Sequence, residues 1–129
     1  MKLLLDTHTF LWSLGDTSQL STTVTELIED PSNHLYLSMA SVWELAIKAS
    51  IGKLQAPTNL EEYINTQLET RDIELLPISL GHVTMVRNMP RLHGDPFDRL
   101  LIAQASLEQM PLLSRETDLF KRYGVQVIW

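Results

Sequence analysis

The chain has 129 residues, 44% of them hydrophobic and 20% charged, with five glycines, six prolines and no cysteine. That apolar content supplies the core of one ordinary domain, and the composition excludes a disulfide scaffold, a thiolate nucleophile, a cysteine-ligated metal, wholesale disorder and a fibrous repeat. A net charge of −6 argues against a broad electrostatic grip on nucleic acid or an anionic membrane, while leaving room for a local basic rim beside an acidic, cation-binding site. The segment Met1 to Trp12 is too short and too polar for a secretory signal, and no apolar run approaches membrane-spanning length, so a cytoplasmic protein with no membrane partner is expected.

Lys2 to Leu5 read as a short buried strand, and Asp6 as its last residue, opening into a loop or short helix that carries Phe10, Leu11, Trp12 and Leu14. Ser21 is placed to cap a helix with Val24, Leu27 and Ile28 on one face, stopped by Asp30-Pro31. His34 to Ser38 are rich in β formers and read as a second strand. From Ser41 the period lengthens, with Val42, Leu45, Ala46 and Ala49 in one stripe that Trp43 and Ile47 widen, and Gly52 as terminator. Leu60, Tyr63, Ile64 and Leu68 mark another amphipathic helix, Ile73 to Pro77 a strand, and Ser79 to Met89 a further helix ended by Pro90.

Asp95-Pro96-Phe97-Asp98 has the grammar of a helix start, with Asp95 as N-cap, Pro96 at the first helical position and Leu101, Ile102 and Ala105 as the buried stripe. Leu112 to Ser114 form a strand, Leu119 to Tyr123 a short helix, and Val125 to Trp129 a last strand. Short apolar strands alternating with helices predict an α/β domain over residues 1–129, its parallel sheet covered by helices.

In such a fold the productive crevice lies beyond the carboxyl ends of the strands. Asp6 falls there, Asp95 and Asp98 open a later helix, Glu116 and Asp118 follow the Leu112–Ser114 strand, and Glu44 sits at the edge of an apolar helix face. Carboxylates gathered in a cleft repel one another unless a hard cation compensates them, and Mg²⁺ or Mn²⁺ suits an all-oxygen donor set. Paired carboxylates also serve glycosidases, but no aromatic-rich sugar cleft is visible. The four histidines form no His-Glu-x-x-His array, which disfavours zinc. Against these readings, an aspartate at a strand end or helix start ordinarily serves as a turn or cap residue, and Trp12, Trp43 and Trp129 read as packing anchors.

Four ordered blocks add a resemblance. They are Leu3-Leu4-Leu5-Asp6-Thr7-His8, the run Ser38-Met39-Ala40-Ser41-Val42-Trp43-Glu44-Leu45-Ala46-Ile47-Lys48, the run His93-Gly94-Asp95-Pro96-Phe97-Asp98-Arg99 continuing to Ala105, and Tyr123 to Trp129. Over essentially its whole length the chain resembles PIN-domain proteins, above all the VapC-type toxins of bacterial toxin–antitoxin pairs. The resemblance implies a three-layer α/β/α fold with a central mostly parallel sheet, and an endoribonuclease toxin that cleaves RNA with Mg²⁺, or Mn²⁺, as cofactor. A homodimer and a cognate antitoxin protein are further implications.

By motif match Asp6, Glu44 and Asp98 are the first three acidic positions, catalytic and metal-holding together, and Asp95 is a supporting one. The fourth is blurred, as though one residue had been inserted: Glu116 keeps the spacing from Ser114, whereas Asp118 keeps the residue type and is preferred. Arg99 and His93 are expected as phosphate or architectural contacts, with Arg99 also able to pair with Asp95, and Arg87 and Arg91 as a local offset to the acidic surface. A second class of function is a protein-interaction domain that keeps the fold without catalysis.

Overall fold

The computed structural model describes residues 1–129. Strands β1 (Lys2–Leu5), β2 (His34–Ser38), β3 (Ile73–Leu76), β4 (Leu112–Leu113) and β5 (Val127–Ile128) form one sheet in the order β3-β2-β1-β4-β5. Every pairing is parallel, with Leu3 opposite Leu35, Leu5 opposite Leu37 and Leu4 opposite Leu112. Parallel neighbours require crossovers, and these are supplied by helices α1 (Thr7–Leu14), α2 (Thr22–Glu29), α3 (Met39–Ser50), α4 (Leu60–Arg71), α5 (Leu80–Met85), α6 (Pro96–Glu108) and α7 (Thr117–Lys121).

The period of two along β1 divides the core into two layers. Leu3 and Leu5 face one side, with Phe10 of α1, Val24 of α2, Leu45 of α3 and Ile64 and Leu68 of α4. Leu4 faces the other, with Leu101, Ile102 and Ala105 of α6 and Phe120 of α7. Helices therefore cover both faces of the sheet, which is the α/β/α arrangement expected. Central strands buried on both faces explain why Leu3-Leu4-Leu5 is continuously apolar and not alternating. No helix is long and apolar enough to cross a membrane.

Several boundaries differ from those read in the sequence. Helix α3 begins at Met39, two residues before Ser41, because the Ser38 hydroxyl accepts the Ala40 N–H and caps it directly from the end of β2. The Ser79–Met89 segment is the short α5, opened by a reciprocal Ser79–His82 capping box, and then a 3₁₀ turn over Val86–Asn88. Trp43 and Ile47 do not widen the buried stripe of α3: they are 56% and 37% exposed. Helix α7 starts at Thr117, so Asp118 lies in its first turn.

Candidate active site

The carboxyl ends of β1, β2 and β4 meet at the middle of the sheet, and each carries a polar residue: Asp6 after β1, Ser38 as the last residue of β2 and Ser114 after β4. Asp6 is buried and doubly held. Its Oδ1 accepts the Thr7 N–H at 2.7 Å, which makes it the N-cap of α1, and its Oδ2 accepts the Ser114 hydroxyl at 2.7 Å. The Ser114 hydroxyl in turn accepts the N–H of Glu116 at 3.1 Å. Thr7 and Ser41 join their hydroxyls at 2.8 Å and so tie α1 to α3, the helix that carries Glu44.

Glu44 is buried in the second turn of α3, and its Oε2 lies 3.1 Å from Lys48 Nζ one turn on. Asp98 stands at the third position of α6, where the Asp95 side chain accepts the N–H groups of both Phe97 and Asp98, so the capping role read for Asp95 is present. Behind Asp98 lies a hydrogen-bonded chain. Arg99 Nη1 donates to Tyr123 Oη at 3.2 Å, Tyr123 Oη lies 2.7 Å from His93 Nδ1, and His93 Nε2 lies 3.3 Å from Asp98 Oδ2. The His93 tautomer sets which group donates at each of these two contacts.

The charges act on one another. Burial is the main cause that holds the Asp6 carboxyl above the usual carboxylate range, and Glu44 adds to it; the bonds from Ser114 and Thr7, and the charge of His8, pull the other way. Asp98 is pushed up to about 7, first by burial and then by the negative charges of Asp95, Asp6, Glu44 and Glu116. Five carboxylates thus share one electrostatic neighbourhood. No three of them are spaced closely enough to form a ready-made metal cage.

Asp6, Glu44, Asp95 and Glu116 all lie near enough for their charges to act on Asp98. Asp118 is exposed on α7, and its charge is not among those acting on Asp98. His93 reaches Asp98 directly. Arg99 meets neither expectation of an outward contact: it is buried, forms no ion pair with Asp95, and donates to the carbonyls of Pro90 and Val86 as well as to Tyr123. Of the roles read for it, the architectural one matches its position, since it fastens the Val86–Pro90 segment over α6. Sequence reasoning missed Tyr123 as a polar link, because a tyrosine among apolar neighbours gives no sign of where its hydroxyl ends.

Burial first, and then repulsion from neighbouring carboxylates, raises Asp6 and Asp98, and an all-oxygen donor set of this kind suits a hard divalent cation, which would offset the repulsion. Solved structures with the same fold follow. A chain of VapBC2 from Rickettsia felis, bound to a DNA fragment from their promoter, aligns over 99% of this chain and 98% of its own, with a TM-score of 0.75 and 17% identity. DNA-bound VapBC from Salmonella typhimurium aligns over 99% and 97%, at a TM-score of 0.73 and 18% identity. VapBC-5 from Mycobacterium tuberculosis, a member of the VapBC family of toxin–antitoxin systems, aligns over 98% and 95%, at 0.60 and 20%. No curated protein matches the sequence significantly. The sequence profile of the PIN domain matches residues 3–126, and the chain belongs to the PIN-domain family.

Proposed function

We propose that the chain is a divalent-metal-dependent endoribonuclease, the toxin of a toxin–antitoxin pair, and that Asp6, Glu44 and Asp98 hold the metal. The observation that carries this is the placement of Asp6 and Asp98 at the carboxyl end of the sheet, with Asp6 fixed by Ser114, where burial first and then the charges of Asp95, Asp6, Glu44 and Glu116 push Asp98 up to about 7. Mg²⁺, or Mn²⁺, bound there supplies charge neutralisation, an activated water and stabilisation of the departing oxygen. The chain supplies orientation. Ser114 and Thr7 fix both oxygens of Asp6, and the Tyr123–His93 pair holds Asp98 from behind. The carboxyl of Asp98 keeps its proton up to near-neutral pH when no cation is present, so metal binding and proton release are coupled there.

For the fourth acidic position the observations favour Glu116 over Asp118. The Glu116 backbone is bonded to the same Ser114 hydroxyl that holds Asp6, and its charge reaches Asp98. Membership of the PIN-domain family and the fold shared with VapBC chains support the wider reading, in which the chain is a homodimer inhibited by a cognate antitoxin. The test is cleavage of mixed RNA by the purified chain, with Mg²⁺ and then with excess chelator, beside Asp6→Asn. Cleavage that needs Mg²⁺ and is lost in the variant is expected; cleavage that survives both overturns the assignment.

A further inference from the structure

An RNA strand reaching Asp6 and Asp98 meets a chain of net charge −6, so it needs cationic and stacking contacts beside the carboxylates. Two basic side chains near the site are already committed: Lys48 to Glu44, and Arg99 to Pro90, Val86 and Tyr123. Arg115 is not. It is exposed, takes part in no ion pair, and stands between Ser114, which holds Asp6, and Glu116, whose charge reaches Asp98.

The surroundings of Arg115 are aromatic. Its guanidinium carbon lies 4.6 Å from the ring centroid of Trp12 and 5.7 Å from that of Trp129, and the two indoles meet edge to face at 5.9 Å. A third ring, that of exposed His8, lies 5.6 Å from Trp12 at a tilt of 38°. His8 and Trp12 share a face of α1 by their spacing of four, while Arg115 and Trp129 follow β4 and β5, so all four stand at the sheet edge where Asp6 lies. The row begins two residues from Asp6, and the charge of His8 acts on that carboxylate. Arg115 Nη2 donates to the carbonyl oxygen of Gln19 at 3.2 Å and to its Oε1 at 3.1 Å, which fixes the guanidinium while Nε and Nη1 are bonded to nothing in the chain.

A fixed cation with unused donors, laid on indole rings and joined to a histidine, matches a phosphate with its adjoining base. We propose that His8, Trp12, Arg115 and Trp129 form a platform that receives single-stranded RNA beside the acidic centre, with Arg115 on a phosphate and Trp12 with His8 under a base. The proposal rests on the RNA-cleavage reading above. Charge complementarity favours RNA over a protein partner here: the platform offers an unpaired cation beside the exposed ring of His8, whereas the exposed large apolar side chains lie elsewhere, among them Trp43 and Ile47 on α3 and Leu80 and Val83 on α5.

The experiment uses a short unstructured fluorescein-labelled RNA and the same RNA with abasic sites, bound to the Asp98→Asn chain so that cleavage does not intervene. Arg115→Gln is expected to weaken binding about tenfold and to lower the slope of log affinity against log salt by about 0.7, the share of one single-strand phosphate contact. Trp12→Leu is expected to weaken binding of the intact RNA about tenfold, within the range for loss of one base stack, and to leave the abasic RNA unaffected; Trp12→Phe restores it. In chains with Asp98 intact, the losses appear in KM, with kcat within about twofold of the parent by this same separation of binding from chemistry. Because either substitution can disturb folding, photocrosslinking of 4-thiouridine RNA to the chain with both residues intact is the second readout. Crosslinks at His8, Trp12 or Trp129 support the platform, and crosslinks confined to other faces overturn it. Folded variants that bind and cleave RNA as the parent does overturn the platform and leave the nuclease reading standing. A parent that neither binds nor cleaves RNA overturns both.

Discussion

Replacing Asp98 by Asn removes one charge from the crowded site at nearly constant volume, and the structure gives the sign and size of the effect. The carboxyl titrates near 3.8 when free of the fold and at about 7 in it, so between these values the folded chain holds a proton that the unfolded chain has lost. Stability in the absence of metal therefore falls as pH rises through this window, and the full penalty is present above about pH 7. Three units correspond to a ceiling of about 4 kcal/mol. The Asp98 side chain is 27% exposed, and solvent screening brings the figure to roughly 2 kcal/mol. Asn also gives up the attraction of a carboxylate to the start of α6, about 0.5 kcal/mol, leaving a net gain of roughly 1.5 kcal/mol or about 6 °C in Tm.

The assay is thermal or urea denaturation in excess chelator at pH 8 and pH 5. Asp98→Asn should melt above the parent at pH 8, and at pH 5 the gain should shrink to about a third, because only that share of the titration window has then been crossed. Added Mg²⁺ should raise the parent more than the variant. A variant that melts at or below the parent at pH 8 would refute the claim that uncompensated repulsion strains this site.

Three further outcomes follow from named contacts. Glu116→Gln should slow RNA cleavage at least tenfold and Asp118→Asn about twofold or less, read as initial rates on folded protein; the reverse order would return the fourth position to Asp118. Ser114→Ala removes the hydroxyl held by Asp6 Oδ2, so it should cost about 1–2 kcal/mol of stability and shift the rising limb of the pH–activity profile upward, since that bond lowers the Asp6 pKa. Arg99→Met leaves the carbonyls of Pro90 and Val86 without their donor and should destabilise by about 2–4 kcal/mol in denaturant melts, with RNA binding per folded molecule unchanged.

The strands and α6 were legible because their signals are local: continuous leucines for a strand buried on both faces, and Asp95-Pro96 for a capped start. The motifs single out Asp6, Glu44 and Asp98, and the sheet order places β1 between β2 and β4, which delivers Asp6 to the middle of the carboxyl edge. What depends on tertiary path was not legible. Arg99 stands beside Asp98 in the chain, yet the Val86–Pro90 segment folds over it and takes up its donors. Trp43 is apolar and lies within helical spacing of buried residues, but its ring pairs edge to face with Phe97, centroids 5.0 Å apart, and is 56% exposed. The preference for Glu116 over Asp118 rests on the Ser114 hydroxyl, which ties the Glu116 backbone to Asp6, a contact between β1 and the end of β4 that no spacing announces.

Direct titration of the purified chain with Mn²⁺, followed by electron paramagnetic resonance across pH 5 to 8, tests the central claim that these carboxylates form a divalent-metal site. The account predicts binding that tightens as pH rises toward the Asp98 pKa of about 7 and above it, and that is lost in Asp6→Asn and Asp98→Asn. A parent that binds no Mn²⁺ at pH 8, or variants that bind it as tightly as the parent, would contradict it.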